Sequence, residues 1–186
     1  MNRGLQLAAL LMVLWTPFAM ATGWTMTRDD SRLEFVATYQ GQAVKGEFRR
    51  FDVNLSFDPD APATGKLEVS VSLASADMGS ADINTAIRGE EWFAVARGPE
   101  ARFSSADIVA QNDDHFLAEG NLRLKGVERP IAVPFTWSTV GNGARMQGQL
   151  VLKRADFGIG TGEWASTDTI GPDVVVHFSV ALKRRN

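Results

Sequence analysis

The sequence predicts an all-β protein, an up-and-down antiparallel barrel of about eight strands with one short helix closing an end. Three observations lead there. Nearly every segment alternates apolar and polar residues with period 2, the mark of strands with one dry and one wet face. The connections are short and rich in turn-forming residues, so neighbouring strands pair as hairpins. Only one stretch changes to a helical spacing. Strands with a single apolar face must close or stack to lose their wet edges, and long strands joined by hairpins favour closure over a Greek-key sandwich.

The first element is not part of that barrel. In MNRGLQLAALLMVLWTPFAMA, Arg3 precedes an apolar run from Leu5 to Trp15, Pro17 breaks the run, and Ala19 and Ala21 place small residues where a signal peptidase looks for them. The run is shorter than the roughly 20 residues that span a bilayer. No second apolar run follows, so no transmembrane segment is expected in the mature chain. Cleavage is expected after Ala21, giving a leader over residues 1–21 and one domain over residues 22–186.

The strands then follow in order. SRLEFVATY puts Leu33, Phe35, Ala37 and Tyr39 on one side, and FDVNLSFDP does the same for Phe51, Val53, Leu55 and Phe57. GKLEVSVSL aligns Leu67, Val69, Val71 and Leu73. In ARFSSADIVA the parity slips, leaving Phe103 and Ile108 on opposite faces, which predicts a β-bulge. GNLRLKG pairs Leu122 with Leu124, and RPIAVPFTW lines up Ile131, Val133, Phe135 and Trp137. RMQGQLVLK aligns Met146, Gly148, Leu150 and Leu152, and DVVVHFSVALK aligns Val174, Val176, Phe178, Val180 and Leu182. Turn chemistry sits at Asp58-Pro59-Asp60, Gln111 to Asp114, Lys125 to Glu128 and Gly141-Asn142-Gly143. The helix falls in GSADINTAIRGEEWF, residues 79–93. There Ile83 and Ile87 stand four apart, Ser80 can serve as N-cap, and Gly89 ends or kinks the turn. A helix at that point, between the fourth and fifth strands, can plug one end of a barrel.

Composition removes several function classes. There is no Cys, hence no disulfide, thiol nucleophile or thiolate metal site. The formal charge is −3, and losing Arg3 makes the mature chain one unit more negative, which argues against nucleic acid and anionic membrane surfaces. The terminal KRRN reads as a solvated tail. Of the two His, His115 belongs to a hairpin tip and His177 falls outside the apolar register of the last strand, and neither sits in a nucleophile motif. No metal site is expected, because FDPDAPATG lacks the closing Glu of a calcium loop. DFGIGTGEW has G-x-G-x-G spacing with no helix behind it, so it reads as a flexible loop rather than a phosphate cradle. Glu90 and Glu91 are adjacent and read as a solvated face.

The ordered set VKGEFRRFDVNLSFDPDAP, SADINTAIRGEEWF, ARFSS, AEGNLRLKGVERPIAV, LKRADFGIG and GPDVVVHFSVAL resembles the YceI-like family of exported, lipocalin-like, polyisoprenoid-binding barrels. The resemblance covers essentially the whole mature chain. It implies an extended eight-stranded antiparallel barrel, a helix capping one end, and a long apolar tunnel holding a polyprenyl or quinone-like lipid in the periplasm without catalysis or cofactor. Carried onto this chain, the ligand-binding residues would be Phe35, Phe48, Phe51, Val53, Leu55, Phe57, Val69, Val71, Ile83, Ile87, Trp92, Phe93, Phe103, Leu122, Leu124, Phe135 and Phe178. Arg49, Arg50 or Arg88 would meet an anionic head group. Asp82 and Arg88 match family polar positions expected to brace the helix. The family's His-led turn after the first strand is replaced here by Tyr39 and Gln40. Small inward residues, Ala37, Ala118, Gly120 and Gly148, are expected to keep the lumen from filling.

Two rival classes stay open at the level of sequence. One is a lipid-modifying enzyme using His177 or His115. The other is an interaction protein docking a membrane partner such as a b-type cytochrome. A homodimer joined through outer strand faces is compatible with any of these. The leader reading has a direct check: the exported protein should begin at Thr22 by intact mass. Replacing Ala19 and Ala21 with Leu should leave the unprocessed precursor, and a mature protein that retains residues 1–21 would overturn the assignment.

Overall fold

The computed structural model describes residues 22–185, and the expected leader lies outside the described residues. Among those described, no helix is long and apolar enough to cross a membrane. The strands are β1 (Gly23–Tyr39), β2 (Gln42–Phe48), β3 (Phe51–Ser56), β4 (Lys66–Ser72), β5 (Ala76–Asp77), β6 (Glu100–Asn112), β7 (His115–Leu124), β8 (Val127–Val140), β9 (Gly143–Lys153) and β10 (Asp173–Arg184). They reduce to eight staves. β1 pairs with β3 near its start, Gly23 opposite Ser56, and with β2 further on, Glu34 opposite Glu47, so β2 and β3 form one stave bent at Arg49 and Arg50. β4 and β5 are likewise one stave, interrupted by a 3₁₀ turn at Leu73–Ser75. From there β4, β6, β7, β8, β9 and β10 pair in chain order, and β10 returns to β1 to close the antiparallel barrel.

Local irregularities keep the apolar faces inside. The expected bulge in β6 lies between Ser105 and Asp107, and it brings both Phe103 and Ile108 into the core. A second one was not foreseen. β1 shifts register against β10 between Thr27 and Arg32, which returns Leu33 and Phe35 to the inner face after Trp24 and Met26. The buried Ser31 hydroxyl holds this insertion by donating to the Thr27 carbonyl (2.7 Å) and accepting from the Ala181 N–H (3.0 Å). Tyr39, expected inward, is 41% exposed, because β1 ends there and bridges Ile170. The two-residue turn Lys125-Gly126 has positive φ at both positions, 51° and 78°, matching the right-handed twist of β7 and β8.

The helix, α1 (Ala81–Ala86), is shorter than the sequence suggests and lies between the third and fourth staves rather than the fourth and fifth. Ser80 caps it, accepting from the Ile83 N–H at 3.5 Å, but it stops at Ile87, before Gly89. With under two turns it cannot bury both isoleucines, so Ile87 is 7% exposed and Ile83 45%.

The glycine-rich segment after β9 is also not the flexible loop expected. Arg154 is 4% exposed, and its guanidinium donates to the carbonyls of Ile159, Gly160, Ala165, Ser166, Ile170 and Gly171 at 2.8–3.4 Å. Gly158, Gly160 and Gly162 all take positive φ, the left-handed region that favours glycine, and this lets the chain coil around the cation. The terminal basic residues are held too: Arg184 lies over the Trp24 ring, and Arg185 donates to Asn54 Oδ1 (2.6 Å) and the Trp24 carbonyl. Arg154→Met should cost about 3 kcal/mol in urea denaturation, since buried carbonyls lose their donors. Amide protection should fall selectively over residues 158–172, and unaltered protection there would contradict the role assigned to Arg154.

Candidate functional site

The barrel interior divides in two. At the end carrying the β6–β7 and β8–β9 turns, aromatic rings fill the lumen. Phe57 sits edge-on to Phe116 and Trp137 (both 5.0 Å) and to Phe135 (5.7 Å), Trp24 meets Trp137 at 5.0 Å, and the Trp24 Nε1–H donates to the Phe57 carbonyl. This is a solid plug. Towards the other end, where the staves bend at Arg49 and Leu73, a cavity of about 160 Å³ remains. Its wall is wholly hydrocarbon, thioether and aromatic. The apolar interior is thus a chamber bounded at one end by the plug, close in size to a dry pocket of ~150 Å³ that accepts benzene.

Ten of the residues expected to line a tunnel do line this chamber: Phe48, Phe51, Val53, Val69, Val71, Phe93, Phe103, Leu122, Leu124 and Phe178. The others are elsewhere. Leu55, Phe57 and Phe135 are buried among the plug residues because their positions lie nearer the filled end. Phe35 packs on Phe48 (5.1 Å) outside the wall, and Ile87 is buried away from it. Ile83 is exposed on α1, and Trp92 turns to the Trp164 ring at 5.7 Å. The wall is completed by residues the alternation had already turned inward but no motif had singled out, among them Leu33, Ile131, Leu150 and Leu152. Ala101 carried no signal.

The small inward residues act differently from expectation. A Cβ on Gly46 would meet the Phe35 ring at 2.3 Å, one on Gly120 the Phe103 ring at 2.9 Å, and one on Gly148 the Phe178 ring at 2.7 Å. Gly46 is a seat for the Phe35 ring opposite it, while Gly120 and Gly148 also admit a neighbouring backbone, their Cβ positions lying 2.2 Å from the Ser104 carbonyl and 2.3 Å from the Pro134 carbonyl. Rings drawn against the wall leave the axis free. Ala118, by contrast, is fully buried and not part of the chamber wall.

Polar groups are confined to the rim. Asp77, on β5, accepts from Asn84 Nδ2 and from the Gly79 N–H, both at 2.8 Å, and pairs with Arg49. Asn84 Oδ1 in turn accepts from the Met78 N–H, so this cluster ties α1 to the barrel. The Asn84 hydrogen bond, then the Gly79 N–H and the Arg49 charge, hold the Asp77 carboxyl below its ordinary 3.8 despite some burial. Lys125 Nζ donates to the Gly158 carbonyl at 2.6 Å across the rim, and burial lowers its pKa, with Arg97 adding to that effect against Glu90 and Glu91. The Glu91 carbonyl accepts from the Gly160 and Thr161 N–H groups, joining the segment after α1 to the Arg154 loop. Arg49 is thus occupied by Asp77 and Glu47, while Arg88 is exposed on the rim. Asp82 is exposed as well, and among the described residues no bracing contact joins it to a strand. His115 is exposed and paired with Asp114 at 2.7 Å, and His177 leaves the outer face opposite Glu34 and Gln149. Neither His lines the chamber.

A closed eight-stave antiparallel barrel with a short helix at its rim has a lipocalin-like architecture. Residues 24–182 match the YceI-like domain, and the chain belongs to the YceI-like family. It is 31% identical over 152 residues to a UPF0312 protein of Azotobacter vinelandii, covering 76% of this chain and 78% of that one. A UPF0312 protein of Yersinia pestis is 30% identical over 169 residues, 85% of each chain. Among solved structures, Burkholderia cenocepacia BcnA superposes with a TM-score of 0.82 at 28% identity over 84% of this chain and 98% of its own. A polyisoprenoid binding domain from Saccharophagus degradans, implicated in plant cell wall breakdown, gives 0.71 at 18% identity over 89% and 99%, a likeness of fold alone.

The Asp77 cluster makes the rim acid-sensitive, and the sign follows from linkage. A carboxyl whose folded pKa is depressed contributes stability above its ordinary pKa and loses it as pH falls through the lowered value. Amide exchange at residues 78–87 should therefore accelerate as pH drops below 3.8, relative to the plug strands. Asp77→Asn should remove that acid step, and an identical acid profile in the variant would refute the linkage.

Proposed function

We propose that the protein is an exported, periplasmic carrier that shelters the apolar end of an amphiphilic isoprenoid-type lipid, polyprenyl or quinone-like, and performs no chemistry on it. One observation carries this reading: a chamber walled entirely by apolar side chains is preserved inside a barrel whose other half is densely filled. Burial of hydrocarbon stabilises by roughly 0.8 kcal/mol per CH₂, so a five-carbon isoprene unit gains about 4 kcal/mol without any specific polar contact. The head group stays at the rim, where Arg88 and Arg50 are exposed and an anionic head would find charge-assisted partners. Export rests on the leader, and family membership supports a binding role. Both histidines lie off the chamber, which favours storage over turnover.

Native mass spectrometry of protein recovered from its own host's periplasm should show a bound lipid that solvent extracts. Ala101→Phe would place a phenyl ring in the chamber, and it should cut lipid uptake at least tenfold while leaving the melting temperature equal or higher. Wild-type protein that arrives empty and accepts no isoprenoid alcohol or quinone would overturn the proposal.

A further inference from the structure

Resting on the carrier reading above, we propose that residues 88–98 form a hinged cap over the chamber, and that lipid enters and leaves where this cap parts from the loop after β9. Among the described residues, every part of the chamber wall except Phe93 belongs to the staves or to the turn inside one of them. Phe93 comes instead from the connection between β5 and β6, and its ring meets Phe48 at 5.9 Å. That connection runs from the third stave to the fourth, and the Arg154 loop runs from the seventh to the eighth. In a closed ring of eight these lie on opposite sides, and antiparallel pairing puts both at the same end of the barrel. The contact between them therefore crosses the mouth.

The two sides of this crossing are built differently. The loop is fixed, because Arg154 gathers its carbonyls and Lys125 Nζ ties Gly158 to the β7–β8 turn. The cap is bonded mainly to itself. The N–H groups of Phe93, Ala94 and Val95 donate to the carbonyls of Ile87, Gly89 and Arg88 at 2.8–3.0 Å, and Arg97 pairs with Glu90. Among the described residues, residues 80–98 make two backbone–backbone hydrogen bonds to the rest of the barrel, both accepted by the Glu91 carbonyl, from Gly160 (2.7 Å) and Thr161 (3.0 Å). The Trp92 and Trp164 rings meet across the same line. The cap can thus swing as a unit, breaking one clasp and keeping its own bonds. Beside Phe93, Ala94 holds a φ of 47°, a left-handed conformation that a side chain disfavours, so strain is stored where the ring is presented. A hydrocarbon that takes the place of Phe93 exchanges one apolar surface for another, so little burial is lost when the ring withdraws. Withdrawal also enlarges a chamber that otherwise holds only about a benzene-sized group. Arg88 is exposed on the cap, which keeps an anionic head at the mouth its chain has entered.

The chain contains no cysteine, so an introduced pair is unique. In Trp92→Cys/Trp164→Cys a short bismaleimide bridges the cap to the loop, and the same variant blocked with N-ethylmaleimide is the control. The probe is farnesol carrying a dansyl tag on its oxygen, followed by stopped-flow fluorescence on the full mature protein. Bridging should slow association at least tenfold relative to the control. A second readout needs no variant and decides the matter if the double substitution does not fold. In the wild-type protein the Gly160 and Thr161 amides should exchange at least tenfold faster than the Ala94 and Val95 amides inside the cap. A bridged protein that takes up the probe at the control rate overturns the gate and leaves the carrier reading standing. Clasp amides as protected as those inside the cap do the same. Wild-type protein that never binds the probe removes the carrier reading, and the gate with it.

Discussion

Closure of the sheet by β1 and β10 is the constraint from which the rest of this protein follows. Once eight staves are joined, the lumen has a fixed girth that inward side chains either fill or leave open. Closure also forces irregularities to be absorbed locally. The β1 insertion held by Ser31, the β6 bulge and the bends at Arg49–Arg50 and Leu73–Ser75 each restore an apolar residue to the inner face. None of these disturbs the count of eight.

Within that girth, two packing solutions coexist. Near one end Trp24, Phe57, Phe116, Phe135 and Trp137 lock together, edge to face around Phe57 and Trp137 and stacked between Phe116 and Phe135, and leave no room. Nearer the other, Gly120 and Gly148 accept the Phe103 and Phe178 rings against the wall, and space survives along the axis. The same residue type, phenylalanine, fills the barrel in one half and lines it in the other. Phe116 faces the Phe135 ring directly across β7 and β8, whereas Phe178 faces Gly148 directly across β10 and β9.

Alternation made the barrel legible in the sequence, because period 2 depends only on which face is dry. Phe51, Val53, Leu55 and Phe57 all turned inward as their spacing required, yet two of them went to the chamber and two to the plug. Spacing says which side a residue faces, not how far along the barrel it lies. The rim was less legible still. Asp77 gained its role from Asn84 and Arg49, and Arg154 from carbonyls up to seventeen residues away, partners that no periodicity connects. Ile83 misled because a helical spacing was read over more turns than the chain forms. The leader, residues 1–21, stays a reading of the sequence.

A wall that presents only carbon and sulfur has no means of sensing what it holds. It cannot register a proton, a charge or a configuration, and it offers water nothing to bind. On the carrier function proposed above, the direction of flow is then a matter of partition: cargo leaves whenever a neighbouring oily phase dissolves it better, and traffic follows the gradient between donor and acceptor.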